Sequence, residues 1–126
     1  MIDRIKRAPN KVINTALATL SKNCVILRWA TEGVVAVNWG DKLNPWLAER
    51  ISGRRVIHRA DVYPWPALPV HYWIGSHLAT SCSDPRSVVW GAGFISYDVP
   101  VVGTPGEICA VRGWMSVERL KNEGIN

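Results

Sequence analysis

The sequence has no apolar run near the roughly 20 residues that a bilayer-spanning helix needs, so a transmembrane helix is not expected. Between Met1 and Asn23 there is no continuous apolar stretch before a small-residue cleavage site, which argues against a secretory leader. Cysteine is scarce. Three residues, an odd number with no C-x-x-C pair, support neither a disulfide framework nor a zinc knuckle. Reduced thiols in a cytoplasmic protein are the simplest reading. No G-x-G-x-x-G follows a strand and no Walker A lysine motif occurs, so the common nucleotide fingerprints are missing. There is no Gly-x-Ser-x-Gly elbow, and Cys82 has no evident base partner, so covalent catalysis has little support. Internal repeats and low-complexity stretches are also absent.

What remains is an ordinary globular composition. The chain has 126 residues, 48% hydrophobic and 20% charged, which suits one domain and excludes extensive disorder. The net charge is +5, compatible with nucleic acid, an acidic membrane face, a small anionic substrate or solubility alone. Arg50, Arg54, Arg55, His58 and Arg59 form the densest basic cluster. Arg54 and Arg55 point to opposite faces of a strand, and no aromatic platform alternates with the basic residues. A nucleic-acid partner is therefore not expected. Seven tryptophans are a stronger signal, since this ring marks binding surfaces as well as cores.

Short apolar runs separated by helical or loop segments predict an α/β domain with a mostly parallel sheet, a Rossmann-like three-layer arrangement. Strands are expected near 24–29, 54–58, 72–76, 88–92 and 108–112, and helices near 11–22, 41–52 and 116–123. Asn10, Asp41 and Ser116 are the expected N-caps, and Gly53 and Gly124 the expected stops. Val12, Ile13, Ala16, Leu17 and Leu20 supply the apolar spacing of the first helix. Residues 1–23 read as an N-terminal basic segment and helix, and 24–126 as the α/β domain.

Ligands of open α/β sheets bind beyond the carboxyl ends of the strands. Gly75-Ser76, Gly91-Ala92-Gly93 and Arg112-Gly113 fall at such ends. These glycines either admit a ligand to the backbone or simply make tight turns. Asn38-x-Gly40-Asp41 precedes a helix, where Asp41 either caps or accepts a ligand hydroxyl. His77 is the histidine best placed to reach the crevice. His71 and His77 with Cys82 match no zinc spacing, so no metal is expected.

Taken in order, the motifs resemble the N-terminal half of the polysaccharide pyruvyltransferase family. They are Asn38-x-Gly40-Asp41-x-Leu43-Asn44-Pro45, Gly53-Arg54-Arg55-Val56, Ile74-Gly75-Ser76, Val89-Trp90-Gly91-Ala92-Gly93-Phe94, Ala110-Val111-Arg112-Gly113 and Ser116-x-Glu118-x-Leu120. The resemblance spans roughly residues 24–125. It departs at Trp114-Met115, where the family usually has a Gly-Pro-Leu-like segment. The resemblance implies one half of a GT-B-like fold and transfer of pyruvate as a ketal from phosphoenolpyruvate to a sugar of a cell-surface polysaccharide or its precursor. No cofactor is implied. It implies a substrate-binding set of Asn38, Gly40, Asp41, Asn44, Gly75, Ser76, His77, Gly91, Gly93, Arg112 and Gly113, with no catalytic residue assigned. The family's basic donor-binding residues and catalytic histidine lie in a second half with no counterpart here. The expected completion is that second domain or another copy of the chain. The alternative is a non-catalytic sugar- or anion-binding module, or a degenerate fragment.

Overall fold

The computed structural model describes residues 2–31, 39–64 and 67–126. Helix α1 (Ile2–Leu20) leads into strand β1 (Cys24–Leu27), and α2 (Trp39–Ser52) into β2 (Arg55–His58). A 3-10 turn (Arg59–Asp61) follows, then β3 (Val70–Tyr72), α3 (Leu78–Cys82), β4 (Ser87–Ala92), β5 (Glu107–Val111) and α4 (Trp114–Asn122). The five strands pair in the order β2-β1-β3-β4-β5, all parallel. The chain leaves β1 to one side for β2 and returns to place β3 on the other, so β1 and β3 flank the topological switch point. This is the expected Rossmann-like α/β sheet with helices on both faces.

Alternating strand residues divide the core between the two faces. Ile26, Ile57, Tyr72 and Val89 meet Leu78 and Cys82 of α3 and Leu120 of α4 on one side. Leu27 and Trp73 meet Ala48 of α2 on the other. No described helix is long and apolar enough to cross a membrane.

Several boundaries differ from expectation. Helix α1 begins at Ile2 and runs through Asn10, which is therefore not its cap. Ile2 and Ile5 continue the three-to-four-residue apolar spacing N-terminally. Its sheet-facing side is also not the expected one. Thr15 is buried, and its hydroxyl donates to the Lys11 carbonyl at 2.7 Å and accepts from the Tyr63 backbone N–H at 2.9 Å. Val12, Ile13 and Leu20 are exposed.

Helix α2 starts at Trp39, so Asp41 sits in its first turn rather than at its cap, where its charge still suits the positive end of the helix. Pro45 lies inside this helix and supplies no N–H for the Asp41 carbonyl. The Asn44 side-chain amide donates to that carbonyl instead, at 3.3 Å. Helix α4 starts at Trp114 after Gly113, and Ser116 lies within it. The Ser116 hydroxyl instead accepts from the Phe94 backbone N–H at 3.3 Å, tying α4 to the end of β4. Gly124 ends α4 as expected. Its N–H donates to the Lys121 carbonyl, and the Ile125 N–H donates to the Leu120 carbonyl with Ile125 buried in the core. That is a complete Schellman closure.

Candidate functional site

The site begins with how β3 is prolonged past Tyr72. At Ile74 the ladder partner is a side chain. Asn44 is fully buried; its Oδ1 accepts from the Ile74 N–H at 2.9 Å and its Nδ2 donates to the Ile74 carbonyl at 2.7 Å. The carboxamide thus stands in for a neighbouring strand's peptide and fixes α2 against the tip of β3. These bonds occupy Asn44 structurally, so its contribution to a ligand is positional.

Beyond Ile74 three strand tips are laced together. Gly75 bridges to Ala92, and the Gly93 N–H donates to the Gly75 carbonyl at 2.9 Å. The Leu78 N–H donates to the Gly93 carbonyl at 3.1 Å, and the Arg112 N–H to the Ala92 carbonyl at 3.0 Å. Gly75, Ser76, His77, Gly93, Arg112 and Gly113 therefore share the carboxyl edge of the sheet. The Arg112 guanidinium crosses from β5 to donate to the Ser76 hydroxyl at 2.9 Å, although 36 residues separate them.

Two glycines permit this closeness. Gly75 has φ +143°, and a Cβ there would overlap the His77 imidazole. A Cβ at Gly93 would lie 3.1 Å from the Arg112 carbonyl oxygen and 3.2 Å from its Nε. Gly91 behaves differently. It sits inside β4 at a register irregularity against β5, one residue short of the strand tip. Gly40 lies in the first turn of α2. Asn38 lies outside the described residues.

His77 is the electrostatic centre of the site. Burial lowers its pKa below the ordinary 6.5, and Arg28 and Arg112 push it the same way, while buried Asp41 works against them. The ring is therefore neutral at physiological pH and lies 5.7 Å from the Tyr72 ring. Its Nε2 is buried with no hydrogen-bond partner among the described residues. A neutral imidazole nitrogen, a serine hydroxyl and one guanidinium can together bind a hydroxylated molecule bearing one negative group.

The sequence reading missed Arg28. Its charge reaches both His77 and the Tyr72 hydroxyl. The sequence reading placed it inside the strand expected at 24–29; β1 ends at Leu27, so Arg28 follows its strand as Arg112 follows β5. Compared with known proteins, the chain matches no family model, no curated sequence and no solved structure.

Proposed function

We propose that this chain is a pyruvyltransferase-like α/β domain whose strand-end crevice binds the sugar acceptor, and that it does not carry out the transfer by itself. The Arg112–Ser76 hydrogen bond across the glycine-lined tips of β3, β4 and β5 is the observation that carries this reading. Arg112 would hold an anionic group of the sugar, and Ser76 and His77 its hydroxyls. The three thiols, Cys24, Cys82 and Cys109, are free, which agrees with a reducing, cytoplasmic setting.

Pyruvyl transfer requires more than these groups. An acid protonates the methylene carbon of phosphoenolpyruvate, two acceptor hydroxyls add in turn to the cationic carbon, and phosphate departs. The donor carries about three negative charges near neutral pH and needs several converging cations. Among the described residues the cations whose charge reaches His77 are Arg112 and Arg28, too few for a trianion, and His77 is held neutral. The same shortage favours a second reading, a non-catalytic sugar- or anion-binding module.

Calorimetric titration with methyl glycosides of galactose, mannose and glucuronic acid tests the binding claim. Saturable binding that weakens about tenfold in Arg112→Ala is expected. Absence of binding by all three would refute it. Adding phosphoenolpyruvate and measuring released phosphate separates the roles: turnover by this chain alone would show that a donor site has been overlooked.

A further inference from the structure

A second concave feature lies on the other side of Tyr72, where three arginines converge from remote parts of the sequence. Arg28 follows β1, Arg59 opens the 3-10 turn after β2, and Arg86 precedes β4. They line one groove of about 880 Å³ together with Trp29, Tyr72 and Asp84. The groove sits at the end of β1 and beside β3, the place where strand order reverses. Open α/β sheets bind ligands at that crevice, and small-ligand sites run from about 300 to 1,000 Å³.

We propose that this groove binds a phosphate monoester, gripped by Arg28, Arg59 and Arg86. Charge is the first argument. Asp84 is the carboxylate among the described lining residues, and Arg86 already engages it through two contacts, Nε to Oδ1 at 3.0 Å and Nη2 to Oδ2 at 3.3 Å. Among the described residues neither of the other two guanidiniums forms an ion pair, although the Asp84 charge also reaches Arg59. Arg59 donates to the Val62 carbonyl at 3.3 Å, and exposed Arg28 acts on the Tyr72 hydroxyl through its charge. Among the described residues, three cations against one anion leave an excess of about two, the charge of a phosphate ester near neutral pH.

Geometry is the second argument. Arg86 is held rigidly, since it also donates to the Pro64 carbonyl at 3.0 Å, so its remaining N–H groups are fixed in direction. The groove is also larger than phosphate alone. Trp29, packed edge-on against the His58 ring at 4.3 Å, supplies a fixed wall for the esterified remainder.

Calorimetric titration of the full chain at low salt, with inorganic phosphate and separately with phenyl phosphate, a monoester without sugar hydroxyls for the strand-end crevice, tests the proposal. Both should bind, the ester more tightly, and added salt should weaken each. Arg28→Gln and Arg59→Gln should each raise Kd about tenfold or more, whereas Arg54→Gln, in the exposed α2–β2 turn, should leave it unchanged. Circular dichroism confirms the fold of each variant, and Arg28→Gln, an exposed substitution, decides the matter if Arg59→Gln does not fold. No binding of either probe at millimolar concentration would overturn the proposal, as would a folded Arg28→Gln of unchanged affinity. Arg112→Gln should not alter phosphate binding. If it alone abolished binding, the anion would belong to the strand-end crevice and the groove would be empty.

Discussion

Replacing Asn44 by alanine removes both bonds to the Ile74 backbone and the donor that answers the Asp41 carbonyl beside Pro45. Buried peptide groups left without partners cost about 1–3 kcal/mol each, so Asn44→Ala should destabilise the domain by about 2–4 kcal/mol in denaturant unfolding. A loss below about 0.5 kcal/mol would mean that the carboxamide is not the ladder partner of β3. His71 and His77 shape the acid response. Burial lowers the pKa of His77 and of His71; at His71 Glu107 opposes this and Arg54 adds to it. Both groups bind a proton more readily in the unfolded chain than in the folded one. Stability is therefore fully present above their ordinary value of 6.5 and falls as pH drops from there toward the folded-state values. Unfolding midpoints measured between pH 7.5 and pH 5 should decrease, and His77→Gln should flatten the decrease. A midpoint independent of pH over that range would contradict the burial of these rings.

At the scale of elements, local chemistry was legible where one short segment decides the outcome. Four short apolar runs marked β1, β2, β4 and β5, while β3, expected at 72–76, is Val70–Tyr72 and shares only Tyr72 with that run. Gly53 and Gly124 marked where α2 and α4 stop, because C-terminal closure depends on adjacent residues. Helix orientation was not legible in this way. Periodicity locates an apolar stripe but does not say which side the sheet will take, and among the described side chains Thr15 and Ala18, not Val12 or Leu20, are residues of α1 that dock. The two substitutions Thr15→Ala and Leu20→Ser separate these alternatives. Thr15, 5% exposed and bonded to Tyr63, should cost about 1–2 kcal/mol when truncated; Leu20, 85% exposed, should change stability by less than about 0.5 kcal/mol. The reverse order in thermal or denaturant unfolding would show that α1 packs through its apolar stripe.

Across the whole molecule, the parallel sheet decides which distant residues meet. Gly75, Gly93 and Arg112 were legible as site candidates because each ends a strand, and parallel strands bring their ends to one edge. The arginine groove was not, since Arg28, Arg59 and Arg86 share no motif and converge only through the order β2-β1-β3-β4-β5. The central claim is that the tips of β3, β4 and β5 form a binding site around Arg112, Ser76 and His77. Amide and imidazole resonances followed by NMR during titration with methyl glucuronide test it most directly. Saturable shifts at Ser76, His77, Gly93 and Arg112, with the His77 ring among the largest, are the expected result. Saturable binding that moved resonances elsewhere and left those four unchanged would contradict it.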